Sequence, residues 1–173
     1  MGGHLISALL GALGPVSSLS STLTSLYPTL GLLDNDNQPT GKTTTRHNPD
    51  QVAFTGLLAS GATVNFQIVT GASSAVKSYA PFRWTVIGEN GTVDITGDSL
   101  LFTMVPSKIT VNGEPWEPEA EWNYLTSPIE RGWEEFAKGD EGKYSSFEDA
   151  VKIYKVVEAI NTSHRDGARK DID

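Results

Sequence analysis

Between Gln51 and Val111 the chain alternates apolar and polar residues in short runs separated by glycine-bearing turns, and no other feature limits its possible folds as strongly. The clearest run is Ala62 to Thr70, with Val64, Phe66 and Ile68 on one face and Thr63, Asn65 and Gln67 on the other. Gln51 to Leu58 precedes it, and Phe82 to Gly88 follows, with Phe82, Trp84 and Val86 on one face. Thr92 to Thr96, Leu100 to Met104 and Lys108 to Val111 continue the series. Ser60-Gly61, Asn90-Gly91, Gly97-Asp98 and Asn112-Gly113 supply the turns, and such pairs favour tight hairpins. A largely antiparallel open sheet is the expectation.

Helical patterns flank this meander. His4 to Leu13 reads as a short apolar helix closed by Gly14-Pro15. A signal-peptide core is the other reading of Leu5 to Leu13, but no Lys or Arg precedes it and it is too short to span a membrane. Val16 to Tyr27 has a loose strand pattern, and polar Pro28 to Asp50 reads as a long loop. Ser127-Pro128-Ile129-Glu130 offers a helix start, after which Ile129, Trp133 and Phe136 form one stripe. Ser145 and Glu148 suggest a second capping box. Phe147, Ala150, Val151, Tyr154 and Val157 then recur at helical spacing, and Ile153, Val156 and Ile160 widen the face. That helix is expected to be well buried, and the polar tail from Ser163 to fray. The fold class is α+β, one domain over residues 1–173, with helices packed on one face of the sheet.

Composition narrows the function. Asp plus Glu outnumber Lys plus Arg by 21 to 13, a formal charge of -8 that disfavours a nucleic-acid partner. The absence of cysteine excludes disulfides and thiolate chemistry, and suits a reducing, cytoplasmic setting. Asn90-Gly91-Thr92 and Asn161-Thr162-Ser163 match the glycosylation pattern and read as chance without a secretion signal.

Gly41-Lys42-Thr43 lacks the earlier glycine of a phosphate loop, since position 36 is Asp, and reads as solvated chain. Neither G-x-G-x-x-G nor G-x-S-x-G occurs, so no cofactor-binding residues are identified. His4, His47 and His164 are not spaced as metal ligands, and no metal site is expected. His164 falls in the polar tail and reads as solvated. His47 lies close enough to Asp50 for an acid–base pair, although turn formation is the commoner role at such a place. His4 opens a helix after two glycines, so its imidazole either faces a cleft or stands in solvent; facing a cleft, it is a candidate to give or take a proton.

Several segments, in order, resemble the C-terminal domain of Gfo/Idh/MocA-type oxidoreductases, and the likeness covers nearly the whole chain. Gly2-Gly3-His4-Leu5-Ile6 is similar to the family's GGHxxD helix start. Asp50 to Phe54 and Leu58 to Ala62 resemble its paired strands around a turn, Trp84 to Thr92 its central hairpin, and Phe147 to Ala150 the start of its closing helix. The nearest subgroup is the one containing the galactose-regulon repressor. In that family a Rossmann half binds NAD(P) and supplies a catalytic Lys, while this domain supplies a His. The resemblance carries that role to His4 alone. The family's Asp four residues earlier would fall before Met1, and Ser7 stands where an acidic residue is usual.

A Met directly before Gly-Gly-His suggests a natural truncation or a mis-assigned start. The first expectation is therefore a stand-alone, cofactor-free cyclase or isomerase, possible as a pericyclase, acting on a hydrophobic small molecule of secondary metabolism. His4 is then the catalytic residue, and Tyr27 and Trp84 bind substrate. The alternatives are the C-terminal part of an NAD(P)-dependent oxidoreductase and a non-catalytic regulatory protein. A homodimer is expected through the sheet face carrying Thr63, Asn65, Gln67 and Val69, continued by Arg83, Thr85 and Ile87 on the next strand.

Overall fold

The computed structural model describes residues 2–70, 82–98, 107–117 and 127–172. They gather into two compact units, one of Met1–Ser73 with Ser145–Asp173 and one of Ser74–Tyr144. The α+β class and the antiparallel sheets match the sequence reading. The strand expected at Leu100 to Met104 lies outside the described residues.

The first unit opens with helix α1 (Gly2–Leu13), whose buried side chains are Ile6 and Leu9. Gly14 ends it at φ +88°, a conformation natural to glycine, with its N–H on the Leu10 carbonyl at 3.0 Å. The chain then forms β1 (Val16–Thr24), β2 (Thr29–Leu33), β3 (Pro39–Thr45), β4 (Gln51–Leu58) and β5 (Thr63–Val69). The unit returns in α3 (Phe147–Asp166) and β10 (Lys170–Asp171), after β6 to β9 and α2 of the second unit. The main sheet is antiparallel in the order β10-β1-β4-β5.

Register fixes what each face carries. The rows Leu19–Gly56–Val64, Ser21–Phe54–Phe66 and Leu23–Val52–Ile68 face α1 and α3. Leu19 is fully buried, and the Phe54 and Phe66 rings stack with centroids 4.9 Å apart. The rows Ser20–Thr55–Asn65, Thr22–Ala53–Gln67 and Thr24–Gln51–Val69 form the outer face, and none of these side chains is charged. The assignment of Val64, Phe66 and Ile68 to the helix side therefore holds. The expected continuation through Arg83, Thr85 and Ile87 does not: among the described residues β5 pairs with β4, while β6 belongs to another sheet.

Four further expectations are corrected. Pro28 to Asp50 is not a loop but contains the β2–β3 ribbon, which a Thr-rich strand with little apolar alternation concealed. Helix α3 is not buried along its length. Val156, Ala159, Ile160 and Ser163 are buried, whereas Phe147 is 90% and Tyr154 73% exposed, because the later turns are the ones that reach β1. The residues after Ser163 do not fray: the helix runs to Asp166, left-handed Gly167 reverses the chain, and β10 pairs with β1. The α3 capping box also sits one residue later than expected, at Ser146 and Asp149. The Asp149 carboxyl is held at about 2 by the Lys152 ammonium and by the Ser146 amide and hydroxyl.

In the second unit β6 (Phe82–Gly88), β7 (Gly91–Gly97), β8 (Lys108–Val111) and β9 (Glu114–Trp116) form an antiparallel sheet in that order. Asn112 and Gly113, both at positive φ, make the β8–β9 turn. On the face that holds Arg83 and Thr85, the Thr85 hydroxyl donates to Asp94 at 2.6 Å, so that face is charged. Helix α2 (Ser127–Ala137) carries the expected Ile129, Trp133 and Phe136 stripe, and all three are exposed.

Gly56 is the tightest point of the main sheet. A Cβ there would stand 2.3 Å from the Ser18 carbonyl oxygen, beside the bulge between Val16 and Ser18. Because the obstacle is backbone, Gly56→Ala is expected to lower stability by about 1–3 kcal/mol. Chemical denaturation of the two proteins checks this, and equal midpoints would contradict it.

Candidate functional site

The site builds from one end of the main sheet in the first unit. A Cβ on Gly2 would lie 3.6 Å from Ile68 Cδ1, and one on Gly3 would lie 3.9 Å from Ile153 Cγ2, so the start of α1 is held between β5 and α3. His4 follows in the first turn and is exposed. Ile68 shares its row with Val52 and Leu23, which places the start of α1 at the end of the sheet where β1 runs out. Tyr27 lies just beyond that end and is 45% exposed.

Asp50 organises this end. Its side chain is wholly inaccessible, and its two carboxylate oxygens accept the Leu26 N–H at 3.0 Å and the Tyr27 N–H at 2.7 Å. Gln51 Nε2 donates to the same carboxylate at 3.2 Å, and Arg46 Nε stands 3.8 Å away as a charge partner. Its backbone is engaged as well: the N–H reaches the Thr24 carbonyl, and the carbonyl accepts from Thr70 N–H and hydroxyl. Burial pushes the carboxyl up, while the Leu26 and Tyr27 amides, Gln51 and Arg46 pull it down, and the pull wins. The acid–base alternative for His47 and Asp50 gives way here, since Asp50 spends its oxygens on the backbone and pairs with Arg46.

His164 is exposed, as expected, but it lies in α3 and not in a tail. Among the described residues no strand lies beside the edge of β1 beyond the two residues of β10, and α3 side chains bond to it there. Ser163 Oγ accepts the Ser21 N–H at 2.9 Å, the Ser21 hydroxyl donates to the Ile160 carbonyl, and His164 Nδ1 accepts the Leu23 N–H at 3.3 Å. These pairs lie about 140 residues apart in sequence, which no local pattern announces.

His4 and Tyr27 thus share an end of the first unit. Trp84 lies on β6 of the second unit, opposite Ile95, with its side chain partly buried. Among the described residues no group of His, Asp and Glu has the makings of a metal site, and no helix is long and apolar enough to cross a membrane.

Residues 1–97 match the family described as the Gal80p C-terminal domain. The chain belongs to the Gal80p C-terminal-domain-like family. Its fold is that of the Gfo/Idh/MocA C-terminal domain, as the sequence resemblance implied. The chain is 26% identical over 177 residues to "Dehydrogenase aclE" of Aspergillus oryzae, covering 96% of this chain and 45% of that protein. A super-repressor mutant of Gal80p from Saccharomyces cerevisiae superposes with a TM-score of 0.80 at 17% identity, over 98% of this chain and 47% of that one. The aldose–aldose oxidoreductase of Caulobacter crescentus, solved with glycerol, gives 0.69 at 20% identity, over 99% and 46%. The chain spans less than half the length of each of these relatives.

The Asp50 carboxyl has a lowered proton affinity in the fold, so its stabilising effect is complete above the ordinary carboxylate range and is lost as pH falls through the lowered value. Asp50→Asn puts an NH2 where one of the two oxygens accepts an amide. The variant is expected to unfold at lower temperature at pH 7 and to lose less further stability than wild type on acidification to about pH 3. Thermal unfolding across that range checks both, and parallel curves for the two proteins would contradict the assignment.

Proposed function

We propose that this chain is the substrate-side half of an oxidoreductase and that His4 gives or takes the proton at the substrate. The observation that carries the reading is the 26% identity to a dehydrogenase along 96% of this chain. The exposed position of His4 in the first turn of α1 supports it, since an imidazole there is open to a ligand. The 173 residues contain no G-x-G-x-x-G turn, so they do not fit a dinucleotide by themselves. In this reading a second body, on the same polypeptide or another, carries the nucleotide, and this chain supplies substrate contacts and the proton.

The missing glycine fingerprint also favours a second reading, a cofactor-free cyclase or isomerase acting on a hydrophobic small molecule of secondary metabolism. It uses His4 as acid–base and Tyr27 as a substrate contact. In both readings the chain acts as a homodimer through the outer face of its main sheet, whose three rows from Ser20 to Val69 carry no charge. That face suits association because charged residues are depleted at interface cores.

The readings separate in one assay. The chain alone is expected to bind NADH and NADPH no more tightly than about 100 µM. Mixed with the part of the Aspergillus oryzae dehydrogenase that it does not cover, it is expected to support nicotinamide-dependent turnover of that enzyme's substrates. His4→Ala should lower that turnover about 100-fold or more, the scale of a lost acid–base group. Saturable micromolar binding of either nucleotide by the chain alone would overturn the division of labour. Nucleotide-independent conversion of a substrate by the chain alone would favour the cyclase.

A further inference from the structure

We propose that the β2–β3 ribbon is an arm that grips a second copy of this chain, lying against the outer face of the partner's main sheet. The inference rests on the homodimer reading above and adds a second contact to it.

Among the described residues the ribbon is a separate two-stranded sheet, and its β3 strand is exposed along its full length. Leu32 and Leu33 stand 41% and 58% exposed, and Leu26 at its root 62%. Two strands alone are marginal in water, so an uncovered ribbon with this much apolar surface gains from a covering layer. Its base is nevertheless anchored: Arg46 N–H donates to the Pro28 carbonyl, and the inaccessible Asp50 carboxylate ties Leu26 and Tyr27 to the start of β4. Its tip is shaped too, with Asp34 Oδ1 accepting the Asp36 and Gln38 amides at 2.9 Å. A projection rooted in the rigid sheet and preformed at its tip loses little freedom on docking.

Charge selects the occupant. Two copies of a chain with formal charge -8 repel unless they meet where charge is sparse. The outer face of the main sheet carries no charged side chain in its three rows, and along the ribbon strands Lys42 is the single charged residue. Both surfaces mix threonine with apolar residues. The ribbon springs from β1 and returns into β4, so it leaves the sheet at the end of two strands that carry the face the dimer would use. Two-fold symmetry then lets each copy's arm reach the other's sheet.

The cysteine-free sequence makes the test direct. Leu33→Cys and Gln67→Cys proteins, purified separately, mixed and treated with a short bis-maleimide, are expected to give a cross-linked pair containing one chain of each kind. In sedimentation equilibrium, Leu32→Asp with Leu33→Asp should weaken the wild-type dimer at least about tenfold. Circular dichroism should show the variant folded; if it is not, the cross-link alone decides. Asn65→Lys with Gln67→Glu tests the sheet face independently. Loosening by the sheet variant without loosening by the arm variant, and without a mixed cross-link, overturns the arm alone. Loosening by both variants together with the mixed cross-link upholds the arm, and a dimer that the sheet variant leaves unchanged overturns both contacts. A wild-type chain that stays monomeric at about 100 µM overturns both.

Discussion

The buried carboxylate of Asp50 lies where the end of β1, the root of the β2–β3 ribbon and the start of β4 meet. Each segment reaches it through backbone: Leu26 and Tyr27 through their amides to the side chain, Thr24 and Thr70 through bonds to the Asp50 main chain. A buried ion is costly unless such donors surround it, and here they outweigh the cost enough to lower its proton affinity. The consequence is mechanical. Tyr27 is fixed at the end of the sheet where α1 begins and where His4 is exposed, and the ribbon leaves the sheet from a rigid root.

The sequence made the sheet legible because burial on one face imposes period two. Val64, Phe66 and Ile68 could face only the helices once Asn65 and Gln67 had to face away, and the register bears this out. Gly14 and the Asn112-Gly113 pair were legible because positive φ selects them. The ribbon was not, since Thr43, Thr44 and Thr45 satisfy a strand without any apolar alternation. The exposure of Phe147 and Tyr154 was not legible either: helical spacing shows that a stripe exists, not what covers it. At the site, His4 and Tyr27 were visible as candidates, but the Asp50 knot and the Ser163 and His164 caps on β1 depend on contacts between distant segments.

The chain is similar to part of a dehydrogenase and of Gal80p proteins, and its 173 residues contain no G-x-G-x-x-G turn. The matched part of each relative is under half of it, and the fold preserved here is the half built on the open sheet. That sheet differs by face: α1 and α3 close one side, while on the other the three rows from Ser20 to Val69 carry no charge and Asp171 and Arg169 stand beside Ser18 at the β10 edge. On the helix side His4 is exposed in the first turn of α1.

Amide hydrogen exchange at Leu26 and Tyr27 tests the Asp50 knot most directly. Both residues are substantially exposed, so without the carboxylate their amides would exchange as freely as those of a loop. The account predicts that they exchange as slowly as the β1 amides held by β4. Exchange as fast as at Asn35, in the turn of the ribbon, would contradict it.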